Sequence, residues 1–282
     1  MTASRRPRIG DGSLAKALIL GLVLLTSALI IVGPLVVIFV EALKLGLETY
    51  ARNLTAPDTA HAVWLTIATA LLAVPINTAF GIAAAYAIAK FEFRGKNLLI
   101  ALVELPFSIS PIVAGVAYLF VYGAQGWFGP ILQANGIKIM FAYPAIVLAS
   151  LFVTAPFVAR EILPLMQAQG SQEEEAALSL GASGWRTLWS VTLPNIRWAL
   201  LYGVLLTNAR VMGEFGAVSV VSGSIRGVTN TLPLQIELLY QDYNAAGAFA
   251  AATVLAGIAL LTIIGKLVVE RMDPGAARGG AG

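Results

Sequence analysis

From Ala17 to Val40 the chain runs 24 residues without a charge. A helix needs roughly 20 apolar residues to cross the hydrocarbon core of a bilayer, so this run is long enough to span one. Its full extent is about 15–40, and five more apolar runs follow at about 62–89, 97–122, 141–163, 195–222 and 245–268. Lipid offers no partner to free backbone N–H and C=O groups, so such runs must be helices rather than open strands. Only 12% of the residues are charged and 58% are hydrophobic, with a mean hydropathy of +0.82. A soluble domain carries about a quarter charged residues. The expected fold is an all-α integral membrane protein with six transmembrane helices. Arg5, Arg6, Arg8 and Lys16 ahead of the first run have the layout of a signal peptide. A cleavable apolar region is only about 7–15 residues long, so this segment reads as an uncleaved first helix.

The charges give an orientation. With the N-terminus inside, the inner set is Arg5, Arg6, Arg8, Lys16, Lys90, Arg94, Lys96, Arg160, Arg186, Arg197, Lys266, Arg271 and Arg278. The outer set is Lys44, Arg52, Lys138 and Arg226, and Arg210 lies inside the fifth run. Thirteen against four satisfies the positive-inside rule, so both termini are expected in the cytoplasm of a bacterial-type inner membrane. Trp64 and Trp198 fall near span ends, where aromatic anchors belong. The net charge of +3 comes from residues scattered over loops, not from a basic stripe, which argues against nucleic acid as a partner. Without cysteine there is no thiol chemistry, and a single histidine, His61, cannot build a histidine metal cluster. The outer loops are short, and no internal repeat favours an inverted-repeat transporter. The organisation expected is residues 1–60 as N-terminal tail, first helix and outer loop, 61–270 as a core with a cytoplasmic loop at 166–195, and 271–282 as a disordered Gly- and Ala-rich tail.

That cytoplasmic loop is the most informative segment. Ser171 and Glu174 have the S-x-x-E spacing of a capping box. Glu173, Glu174 and Glu175 place negative charge in a first helical turn, and Gly181 is positioned to end the helix in the left-handed conformation. A short capped helix over 172–180 is the result. Ser183 is placed to cap a second turn through Trp185 and Trp189, and Leu193-Pro194 then opens the fifth span. Ala176 and Ala177 lack bulk, and Gly181 turns the chain without a side chain, so a partner's backbone can approach closely. An interfacial helix that only covers the loop would share the same capping.

Two further sites lie inside spans. Arg210 and Glu214 are four residues apart, so on a helix they share a face and can pair. Gly213 and Gly216 beside them would let another helix pack closely. Whether the pair locks helices together or lines a polar pathway stays open. In the third span, Pro106 and Pro111 must kink or break the helix around Ser108 and Ser110, as a packing kink or as a pathway lining. No phosphate-binding G-x-x-x-x-G-K-[ST] occurs, since Gly95-Lys96-Asn97 and Gly265-Lys266-Leu267 fail at the last position. This chain is therefore not expected to be an ATPase, and any ATP and magnesium would sit on another subunit.

Glu175-Ala176-Ala177, Gly181 and Leu193-Pro194, at this spacing in a cytoplasmic loop, resemble the coupling motif of ABC-importer permease subunits. The stretches 193–198, 213–217 and 222–227 resemble the W-type permeases of bacterial sulfate/thiosulfate importers, and the likeness covers nearly the whole chain. The resemblance implies a MetI-like core of five helices plus one N-terminal helix. It also implies a second homologous permease, two ATPase subunits and a periplasmic sulfate-binding protein. Gly213-Glu214-Phe215-Gly216 is shared with molybdate permeases, so a molybdate or tungstate permease is the nearer alternative, and a non-transporting scaffold or channel component the more distant one.

Overall fold

The computed structural model describes residues 13–272. Arg5, Arg6, Arg8 and Arg278, and the tail from 273 onward, lie outside the described residues. Among the described residues every regular element is helical. Four helices are each long and apolar enough to cross a membrane: α1 (Ala15–Leu43), α3 (Pro57–Lys90), α7 (Tyr143–Gln169) and α12 (Ala245–Met272), preceded or linked by α2 (Leu47–Thr55) and α6 (Gly129–Ala134). Two bent pairs bring the number of candidate spans to as many as six. One pair is α4 (Lys96–Ser108) with α5 (Pro111–Tyr122), and the other is α9 (Gly184–Met212) with α10 (Gly216–Ser222). Helix α8 (Gln172–Ser179), in the loop after α7, and helix α11 (Leu232–Gln241) complete the described elements.

Proline placement explains most of the starts. Pro57, Pro111, Pro130, Pro144 and Pro233 each sit in a first turn, where the missing N–H is no loss. Pro34 and Pro194 are different. Both follow a π-helical turn, at Ala28–Val32 and Leu188–Thr192, inside a helix that continues through them. The wider turn lets the chain pass the carbonyl that the proline ring would strike. The fifth run therefore starts as a helix at Gly184, not at Leu193-Pro194 as the sequence suggested.

The expected kink in the third run is a full break. Ile109 and Ser110 are extended, and α4 and α5 meet at 110°. In the fifth run Gly213, Glu214 and Phe215 interrupt the helix with a 48° bend.

Helix α7 is the centre of the bundle and packs on α3, α9, α10 and α4. Near one end, Ile146, Ala149 and Val153 of α7 bury against Leu65, Ala217, Val221 and Leu234. Toward the other, Val158, Ile162 and Met166 bury against Ala85 and Ile196. Asn77 of α3 donates to Thr154 Oγ1 at 2.6 Å and to the Leu151 carbonyl at 3.1 Å, a polar rivet between α3 and α7. Helix α1 contributes no buried residue to its apolar window, so its surface is fitted to lipid.

Helices α3 and α7 approach closely at Gly81, where a Cβ would stand 2.6 Å from Val158 Cβ and 2.9 Å from the Ala159 nitrogen. Gly81→Ala should therefore destabilise the bundle by about 1–3 kcal/mol, the usual cost of overpacking. Gly257→Ala, with nothing within 4 Å, should not. Thermal unfolding of the two variants in detergent checks this, and equal midpoints would refute the close approach.

Candidate coupling loop and membrane ion pair

Helix α8 ends as the sequence foretold. Gly181 adopts φ +86°, its N–H reaches the Leu178 carbonyl at 2.9 Å, and Ala182 N–H reaches Ala177 at 3.0 Å. This is a Schellman closure. Ser183 accepts from Arg186 N–H at 3.3 Å and starts the next turn.

The other end departs from expectation, because the capping box does not form. Ser171 Oγ donates instead to Glu175 Oε1 at 2.5 Å, and Glu174 turns away from the helix start. Its carboxylate is buried against Lys90 Nζ at 2.8 Å and accepts from Thr192 Oγ1 at 3.2 Å. Lys90 Nζ also donates to the Gly170 carbonyl, and Asn195 Nδ2 to Glu173 Oε2. A charge-assisted bond outweighs a neutral cap. The loop helix is thus fastened to the end of α3 and to the π-turn region of α9 by two consecutive carboxylates.

That fastening leaves the opposite surface free. Glu175, Ala176 and Gly181 are exposed, Ala177 is half-buried, and Leu180 is 89% exposed at the helix end. Trp185 and Trp189 meet edge-to-face at 5.8 Å and are both largely exposed. Leu193 is half-buried and Pro194 exposed. The sequence reading gave no such role to Lys90 or Leu180, and took Thr192 only as a minor departure from the usual pattern before Leu193-Pro194. A lysine at a helix end looks ordinary until the chain folds.

Arg210 and Glu214 do pair, Nη1 to Oε2 at 2.9 Å, but not along one helix. Glu214 lies in the break after α9, fully buried, and its Oε1 accepts the Ala217 N–H of α10 at 3.0 Å. The guanidinium approaches Oε2 off the N–H direction, so the contact is an ion pair without an aligned hydrogen bond. Of the two glycines, only Gly216 meets another helix, with a Cβ position 3.1 Å from Pro111 Cβ. Gly213 touches only its own helix, at the Ala209 carbonyl. The two helix breaks therefore adjoin. Ser108 and Ser110 are exposed beside the first, and neither hydroxyl has a hydrogen bond among the described residues. A cavity of about 250 Å³ near that break is lined by Glu104, Phe107 and Arg160, with Arg160 over the Phe107 ring at 4.9 Å.

Burial works to raise the Glu174 pKa, but the Lys90 hydrogen bond and charge, its own amide and the Thr192 hydroxyl outweigh it, leaving the carboxyl below its ordinary value. Unfolded, it returns to the ordinary value of about 4.3. The stabilisation is thus complete above that value and lost as pH falls through the lowered one. Amide protection of α8, corrected for intrinsic exchange, should be flat near neutrality and fall in acid. Glu174→Gln should weaken it already at neutral pH and remove the acid step, and an unchanged acid step in that variant would assign it to another group.

The chain matches the family described as binding-protein-dependent transport system inner membrane component over residues 77–276. It is 54% identical over 255 residues to the sulfate transport system permease protein CysW of Escherichia coli (strain K12), covering 90% of this chain and 88% of that one. The protein of that name from Synechococcus elongatus is 49% identical over 258 residues, covering 92% and 90%. Among solved structures, a chain of a bacterial alginate ABC transporter in complex with an alginate pentasaccharide-bound periplasmic protein superposes with a TM-score of 0.73 at 17% identity. That match covers 93% of this chain and 94% of the other, and at this identity it speaks for the fold. A bent helical bundle with a clamped loop helix, matched over most of its length, thus belongs to the binding-protein-dependent transport system inner membrane components.

Proposed function

We propose that this chain is a permease subunit of an ATP-driven importer for sulfate or thiosulfate, and that it forms half of the translocation pathway. The observation that carries the reading is α8, held to the bundle on one side by Glu173 and Glu174 and presenting Ala176, Leu180 and Gly181 on the other. An exposed apolar crest on a rigidly held helix suits a groove on a second protein. The partner is a pair of ATPase subunits that hold the ATP and magnesium. The other half of the pathway is a second homologous permease, and a periplasmic sulfate-binding protein delivers the anion. Relatives named as sulfate permeases support that choice of substrate. The six runs then each cross the bilayer, with both termini in the cytoplasm, as the basic residues favour.

Gly181→Leu should abolish ATP-dependent sulfate uptake while membrane insertion stays intact, because no L side chain sits easily at φ +86°. Glu175→Lys should act in the same direction by reversing the charge on the exposed face. Radiolabelled sulfate uptake into vesicles at matched expression is the measurement. Normal uptake by a well-inserted Gly181→Leu variant would sink the reading.

Arg210 and Glu214, with the adjoining breaks and Ser108 and Ser110, are the pathway candidates. Removing Arg210 leaves the buried Glu214 carboxylate uncompensated, at about 3–5 kcal/mol, and removing Glu214 leaves the partly exposed Arg210 without its counter-ion. Arg210→Gln and Glu214→Gln should each impair uptake strongly, and the double variant should lose less than the two losses combined. Additive losses would assign the two side chains to separate partners.

A further inference from the structure

We infer that Lys90 and Glu174 form the link through which displacement of the docking helix α8 reaches α3, a helix that the chain itself does not join to the loop. This rests on the reading of α8 as the ATPase-docking segment. The covalent connections of α8 run only to α7, through Gly170, and to α9, through the turn at 180–183. Gly170 stands at φ +66°, and a Cβ there would meet nothing within 4 Å, so this joint is open to bending. Lys90 closes it. From α3, the Nζ holds both the Gly170 carbonyl, in the peptide unit that follows the joint, and the Glu174 carboxylate on α8. Both side chains are shielded, 7% and 12% exposed, so water screens the pair weakly.

Consecutive carboxylates also reach different helices. Glu174 engages α3 through Lys90 and the π-turn of α9 through Thr192, and Glu173 engages α9 through Asn195. A push on α8 is therefore delivered to α3 and α9 together. Helix α3 is riveted to α7 by Asn77, so the motion passes into the centre of the bundle. In this role Lys90 and Glu174 are positioning residues, since neither lies on the exposed docking crest.

The test uses the assembled transporter in proteoliposomes, with sulfate uptake and ATP hydrolysis measured on the same sample. Glu174→Gln and Lys90→Met should each keep the ATPase subunits in the complex and keep hydrolysis, while sulfate moved per ATP falls roughly tenfold, within the range of coupling between contacting residues. The double variant should fall no further than either single one, and Lys90→Arg should retain most of the ratio. A brace with a merely structural role would lower uptake and hydrolysis together and leave the ratio unchanged, and that result would overturn the link. Should Lys90→Met fail to accumulate, Glu174→Gln carries the test, because it keeps the side-chain shape. Absence of the ATPase from the unmodified complex would overturn the docking reading, and the link with it.

Discussion

Lipid leaves each backbone N–H and C=O to find its partner inside the protein, at a cost of several kcal/mol for each one left free. The two interruptions in this bundle are shaped by that constraint. At Ile109–Ser110, the next helix opens on Pro111, which has no N–H to satisfy, and the Ser110 carbonyl accepts Ala114 N–H at 3.0 Å. At Gly213–Phe215 the chain has no proline to remove a donor. The Glu214 carboxylate takes up the Ala217 N–H instead, while Gly213 and Glu214 N–H fold back to Ala209 and Val211. Once a carboxylate is buried there, a cation must accompany it, and Arg210 does so one turn away. The ion pair is thus a consequence of the break as much as a polar feature placed in a span.

The same reasoning orders the loop that carries α8 under a different solvent. Helix α8 lies where water can satisfy its first N–H groups, so Ser171 need not cap it. Glu174 is then free to enter the bundle, where Lys90 and Thr192 satisfy it. A local cap is worth about 1 kcal/mol, whereas a shielded charge-assisted contact is roughly twice as strong as a neutral one.

These particulars explain what could be read from the sequence. Length and apolarity located the four long helices and the two bent pairs, because apolar length is a local property. The Schellman closure was legible because Gly181 alone decides it. The S-x-x-E spacing misled because the competitor, Lys90, is distant in sequence and becomes visible only once the fold brings its amino group to Glu174. Pro106 and Pro111 announced a disturbance but not its size, which depends on the packing of α5 on α10 and on Gly216 against Pro111. Pro194 looked like a start because the π-turn that carries the helix through it has no sequence signature. Arg210 and Glu214 were rightly paired from a spacing of four, although the helix that justified the spacing ends between them.

Charge then separates the two kinds of outer surface. A charged side chain at the bilayer centre costs on the order of 2.5–3.5 kcal/mol on insertion scales. The surface of α1 meets lipid at no such cost, since Leu18, Leu22, Leu25 and Leu29 are exposed and no charge interrupts them. Glu104 on α4 and Arg160 on α7 are exposed too, and Arg210 is about a third exposed. Arg160 can bury its plane on Phe107 but not its charge. Hydrocarbon is the wrong neighbour for all three, so each needs water or polar protein beside it. Side-chain chemistry therefore separates the parts of the bundle surface that suit lipid from those that do not.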